Sequence, residues 1–194
     1  MTTHRLMRRA AWSFAVAGIL ALGYCLAVSL EAHLFENRAA QDFARELRLK
    51  EPATWAPPVP ASGGVIGQLD IPRIGLSVMV VQGVGSKQLR VAAGHIPGTA
   101  LPAEAGNVGI AGHRDTFFRS LRFIHTDDMI ALRTLRATYH YKVVSTRVVR
   151  PEDIRVLDPG GDDSLTLVTC YPFYYVGPAP ERFIVRAERV PATG

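Results

Sequence analysis

Residues 10–30 form 21 consecutive positions without a formal charge, and no other feature constrains this chain as strongly. A helix needs about 20 apolar residues to cross a bilayer. Arg5, Arg8 and Arg9 precede the stretch with no acid among them, and the first charge after it is Glu31. Positive residues stay on the cytoplasmic side. The pattern therefore predicts a short cytoplasmic segment at residues 1–9, a single-pass anchor at residues 10–30 in the cell membrane, and an extracytoplasmic remainder. Other readings fit less well. A cleaved signal has an apolar region of about 7–15 residues, shorter than this one, although Ala27-Val28-Ser29 would serve as a cleavage site. A lipoprotein signal at Cys25 is disfavoured by the bulk of Tyr24 before it. A buried soluble helix would show a polar stripe, and only Ser13, Tyr24 and Ser29 are even partly polar.

Beyond the anchor, Leu34, Phe35, Ala39, Phe43 and Leu47 recur at roughly helical spacing, which predicts a stalk helix continuing the membrane helix. Residues 51–64 then hold four prolines and two glycines and read as an extended linker, so a domain begins near Val65. Its signals are mostly β: strands at residues 65–71, 76–82, 108–112, 129–132, 137–149, 165–169 and 183–190, with short helices at 86–91, where Ser86 would cap, and 117–124. About seven or eight strands in roughly 125 residues predict an all-β barrel or sandwich. Residues 65–194 carry 15 basic and 12 acidic side chains, interspersed, so the net charge of +5 for the whole chain marks no nucleic-acid stripe. No phosphate-cradling glycine loop is present.

Only two cysteines occur. With Cys25 inside the bilayer, Cys170 cannot pair with it, and an unpaired outward-facing thiol is a liability unless it is used. Cys170 closes the strand-like run Leu165-Thr166-Leu167-Val168-Thr169-Cys170, at a barrel rim where loops build sites. A small buried core cysteine is the competing reading. A thiol nucleophile needs a base or cation, and a donor for the developing oxyanion. Of six histidines, His4 and His33 flank the membrane, His140 sits in an alternating strand and His125 follows a helix. His95 and His113 each follow a glycine in a loop. His113 ends its strand much as Cys170 ends its own, so two strand ends on one rim can meet although 57 residues separate them. Arg182 lies 12 residues past Cys170, where a hairpin would set it beside the thiol. A solvated strand-end charge is the plainer reading of that arginine.

These residues carry a family resemblance. Thr166-Leu167-Val168-Thr169-Cys170 with Arg182 resembles the signature of sortases. Asn107-Val108-Gly109-Ile110-Ala111-Gly112-His113-Arg114 is similar to their histidine-bearing strand. Ile71-Pro72-Arg73-Ile74 and Gly94-His95-Ile96-Pro97-Gly98-Thr99-Ala100 resemble two further segments, and the likeness covers residues 65–190. It implies a closed eight-stranded β-barrel and a membrane-anchored cysteine transpeptidase. Such an enzyme cleaves an L-P-x-T-G-like sorting signal through a thioacyl intermediate and passes the acyl group to an amine. The implied partners are sorting-signal-bearing proteins and an amine acceptor, either a cell-wall precursor or a protein. Carried over by motif, Cys170 is the nucleophile, His113 the general acid/base and Arg182 the donor to substrate backbone and oxyanion. Thr169, the backbone amide of Tyr171, His95 and Tyr174 are the expected substrate contacts. The N-terminal organisation most resembles class D. The linker carries no Asp-Pro-aromatic lid, and Thr126-Asp127-Asp128 and Leu135-Arg136 depart from the usual glycine-bearing turns.

The aromatic and proline-rich residues 171–181 could wall a groove for an extended peptide or form a rigid barrel cap. Three other functions compete with transpeptidation. A cysteine peptidase would use the same site with water as acceptor, and a binding module would bury Cys170. A metal site lacks the paired ligand spacing it needs. No cofactor is expected.

Overall fold

The computed structural model describes residues 2–49, 60–159 and 163–191. Most of the expected linker, residues 50–59, lies outside the described residues. Helix α1, Thr2–Leu49, runs unbroken from the apolar stretch through the amphipathic residues beyond it. Between Ala11 and Arg48 it is long and apolar enough to cross a membrane, and none of its most apolar window packs against the rest of the chain.

Eight strands follow: β1 Val65–Ile71, β2 Leu76–Gln82, β3 Ala93–His95, β4 Asn107–Ala111, β5 Met129–Thr134, β6 Thr138–Val149, β7 Ser164–Tyr171 and β8 Glu181–Val190. They close into a barrel in the order β1-β2-β3-β4-β7-β8-β6-β5. The period of two in the sequence becomes the inner face. Leu69 and Ile71 of β1, Ile110 of β4, Ile130 and Leu132 of β5, Leu165 and Leu167 of β7 and Val185 of β8 are fully buried in one core. Helix α2, Ser86–Val91, carries β2 across to β3, which lies parallel to it with Val80 opposite Ala93 and Gln82 opposite His95. β3 has only three residues and reads in sequence as a glycine loop, too short to show alternation. Ser86 does not cap α2; Gly85 holds the N-cap position without a side-chain bond. The expected helix at 117–124 is a 3-10 turn, Arg119–Phe123, whose Leu121 is buried. The turn before β5 tolerates the missing glycine because Asp127 takes a left-handed φ of 71°, a region that aspartate enters more readily than most residues.

The membrane-distal half of α1 docks on the barrel. Ala39 and Phe43 pack with Met79 in a second, smaller core. Beside them the Met79 amide donates to Glu36 Oε2 at 3.1 Å, just ahead of the part of β2 that β3 pairs with. Burial pushes the Glu36 carboxyl up from the ordinary 4.5 to about 7, outweighing the Met79 bond that favours the anion. The folded pKa is therefore above the unfolded one. The stability this carboxyl contributes is complete below about pH 4.5 and is lost as pH rises through about 7. Thermal melts of the detergent-solubilised protein are expected to show that decline. Glu36→Gln should flatten it across this window, and an unchanged pH profile in the variant would contradict the assignment.

Candidate active site

Strands β4, β7 and β8 are consecutive in the barrel wall. β4 and β7 run parallel with Ala111 opposite Val168. Two residues further come His113, just past the end of β4, and Cys170, still within β7, so both sit at the same end of the sheet. β7 and β8 run antiparallel, and Cys170 is directly opposite Arg182. Register thus brings Cys170 and Arg182 into a direct pair and sets His113 at the same end of the neighbouring strand β4.

Alternation decides which face they occupy. Leu165, Leu167, Val185, Val108 and Ile110 point into the core. Cys170, Val168 and Thr166 therefore point outward from β7, Arg182, Ile184 and Arg186 from β8, and Ala111 and Gly109 from β4. This outer face is partly covered by the chain's own loops. Ile184 is only 2% exposed although it points away from the core. A Cβ on Gly109 would stand 2.9 Å from Thr99 Cγ2 and 3.2 Å from Leu157 Cδ2, so the neighbouring loops close over β4 and leave room for glycine alone. Cys170 is half-buried and His113 exposed. His113 also borders a cavity of about 490 Å³ with Val28, Ser86, Arg90 and Thr116, between the barrel and α1. The backbone before it is held by Gly112 N–H donating to Val168 O at 3.1 Å. A side chain on Gly112 would meet the Phe118 ring at 2.8 Å. Arg182 Nη1 donates to Ala179 O at 3.2 Å and Glu181 O at 2.9 Å, which fixes the guanidinium at the strand end.

The remaining expected contacts are placed differently. Thr169 is 2% exposed on the inner face, and its hydroxyl donates to Gly112 O at 2.7 Å. It ties β7 to the residue before His113 and offers no side-chain donor to the outer face. His95 is likewise 2% exposed. Its Nδ1 lies 2.9 Å from Gln82 Oε1 and its Nε2–H donates to Ala100 O at 2.9 Å. Burial holds its pKa below the usual imidazole range. It staples the β3–β4 loop from inside and does not join these three residues. The Tyr171 ring stacks among Phe173 and Phe183 at the barrel mouth. Tyr174 is 79% exposed in the β7–β8 loop, with the Arg122 guanidinium 5.5 Å from its ring centre. Among the described residues, no cluster of three or more His, Cys, Asp or Glu could hold a metal ion.

One residue that sequence reasoning left without a role is Arg114. It is 6% exposed. Nη1 donates to Pro172 O at 2.9 Å, and Nη2 to Tyr175 O at 2.6 Å and Gly177 O at 3.1 Å. The residue after His113 therefore anchors the loop after Cys170 at three carbonyls through two nitrogens of one rigid fork, a spacing that a single ammonium nitrogen does not reproduce. Its position beside His113 was the only available signal. Arg114→Lys is expected to cost about 1.5–3 kcal/mol, read as a lower thermal midpoint together with faster proteolysis within residues 173–177. A wild-type melt with an intact loop would refute the anchoring role.

Comparison with known proteins follows the same outline. The sortase-domain family model matches residues 69–190. The chain is 34% identical over 132 residues to Sortase D of Bacillus subtilis (strain 168), covering 68% of this chain and 67% of that protein. It is 32% identical over 167 residues to Sortase SrtE1 of Streptomyces coelicolor, covering 74% of this chain but only 46% of that protein. A Sortase D5 transpeptidase structure from Clostridium perfringens superposes with a TM-score of 0.66 at 26% identity, covering 82% of this chain and 98% of the other.

Proposed function

The chain belongs to the sortase family, and we propose that it is a membrane-anchored sortase, most similar to class D, in which Cys170, His113 and Arg182 carry out transpeptidation. The pairing of Cys170 with Arg182, and the place of His113 at the same end of β4, support this reading most directly. The Cys170 thiolate attacks the carbonyl carbon of the threonine in an L-P-x-T-G-like signal. The oxyanion that forms is stabilised by N–H groups of Arg182 and by the Tyr171 amide. The tetrahedral intermediate collapses with cleavage of the C–N bond, and His113 protonates the departing amine. The acyl group is left on sulfur as a thioester. The acceptor amine then attacks that carbonyl, neutral His113 removes its proton, and the Cys170 thiolate is released as the new amide forms. The acceptor is an amine of the cell wall or of another protein. α1 holds the site at the membrane, with Arg5, Arg8 and Arg9 on the cytoplasmic side.

The test is to incubate the full-length protein in detergent with L-P-x-T-G and L-P-x-T-A peptides and a primary amine, followed by mass spectrometry. A thioacyl adduct on Cys170 and an amide product that requires the amine are the expected results. Hydrolysis alone at saturating amine would assign a peptidase, and no adduct with any peptide would reject the reading.

A further inference from the structure

Two arginines on the outer face take no part in that chemistry. Arg186 lies opposite Thr166, four residues along β8 from Arg182 and on the same face. Its Nη1 donates to Thr166 Oγ1 at 3.4 Å. Arg147 of β6 lies opposite Ile184, the next outward residue toward Arg182, which makes it a diagonal neighbour of Arg186. Neither has a carboxylate within ion-pair distance among the described residues. Glu188, next outward on β8, is exposed, and its field only partly offsets that of Arg147. Burial and Arg147 together hold the Arg186 guanidinium below its usual pKa.

Solvated strand charges are the ordinary fate of surface arginines, but this pair departs from it. Arg186 is half-buried, repelled by a second cation and satisfied only by a hydroxyl. A desolvated cation without a counter-charge is costly, and an arriving carboxylate would relieve that cost. Its place sets the reach. Four strand residues span about 13 Å, so Arg186 lies about that far along the outer face of β8 from the Arg182–Cys170 end. Between them on that face lies the apolar pair Val168, half-buried, and Ile184, which the chain itself covers.

We propose that Arg186, assisted by Arg147, forms a carboxylate-recognising subsite that selects for an acidic group on the substrate. This rests on that face being the transpeptidase site. The carboxylate comes either from an acidic residue of the sorting peptide, within about four positions of the scissile bond, or from an amine acceptor that itself bears carboxylates.

The experiment uses the full-length protein and separates these sources. In the donor arm, L-P-x-T-G peptides carry Glu, Gln or Lys at x or at the residue immediately preceding Leu, and Cys170 acylation is followed by mass spectrometry. In the acceptor arm, a neutral peptide is paired with diaminopimelic acid or with cadaverine, the same diamine lacking both carboxylates. The expected result is a roughly tenfold advantage in kcat/KM for the acidic probe in one arm, weakened in 1 M salt. Arg186→Gln should erase that advantage while turnover of the neutral probe persists. Arg186→Glu should invert the preference toward the Lys peptide or toward cadaverine, a result that loss of folding cannot imitate. Equal rates for acidic, neutral and basic probes in both arms would overturn the subsite while leaving the transpeptidase reading standing. Absence of any Cys170 adduct would overturn both.

Discussion

Cys170→Ala is expected to bring peptide cleavage and transfer below detection, a loss of roughly 10⁴–10⁶-fold. The physical reason is that every step of the proposed cycle passes through a bond to this sulfur. The other thiol, Cys25, lies on the apolar part of α1 and is not paired with β4, β7 or β8. The fold should survive, because Cys170 sits half-buried on the outer face and the core residues of β7 are Leu165 and Leu167. His113→Ala is the companion measurement. Losing the acid/base group costs roughly 10²–10⁴-fold, and the deficit should narrow when the amine leaving group is replaced by one that needs no proton. Peptide turnover by the purified alanine variants, with circular dichroism as the folding control, checks both. Wild-type-like rates in Cys170→Ala would end the nucleophile assignment.

Arg182→Lys is expected to fail nearly as badly as Arg182→Ala. Arg182 uses one guanidinium nitrogen to hold the Ala179 and Glu181 carbonyls at 3.2 and 2.9 Å. Cys170 lies directly opposite on β7, and the oriented-donor role uses the rest of the planar fork. An ammonium on a flexible stem keeps the charge but has no fork with which to grip the loop and reach an oxyanion together. Removing one oxyanion donor typically costs about 10²–10³-fold in rate. The loss should fall on kcat, because the bond strengthens as charge develops in the transition state. If Arg182 instead acts as a general positive charge that favours the thiolate, lysine should rescue most of the activity. Alanine would then shift the pH profile of Cys170 alkylation. Kinetics of both variants together with iodoacetamide alkylation across pH distinguish the two roles, and full activity in Arg182→Lys would remove the oriented-donor role.

The local patterns were legible in the chain because they depend on nearest neighbours. The uncharged residues 10–30 required a long apolar helix whatever the remainder did. The alternation in β1 and in the first half of β6 came from burying one face of the strand, and β2, buried on both faces, showed instead as a valine-rich run, so those strands begin and end close to where their patterns do. The motif around Cys170 carried the resemblance to the sortase family, which the match over residues 69–190 shows.

What the chain could not disclose is anything set by pairing across distant segments. β3 is three residues long and exists because β2 and β4 flank it, so its own sequence reads as a loop. His95 looks as available as His113 when both follow a glycine. Only the barrel buries the one between Gln82 and Ala100 and leaves the other at the open end of β4. Thr169 and Cys170 are adjacent, yet the pleat sends one inward to Gly112 and the other to the outer face. The work of Arg114 depends on three carbonyls about sixty residues away. Composition and periodicity fix what a residue can do; which residues stand beside it is decided by strand order and register, because those contacts close only when the barrel does.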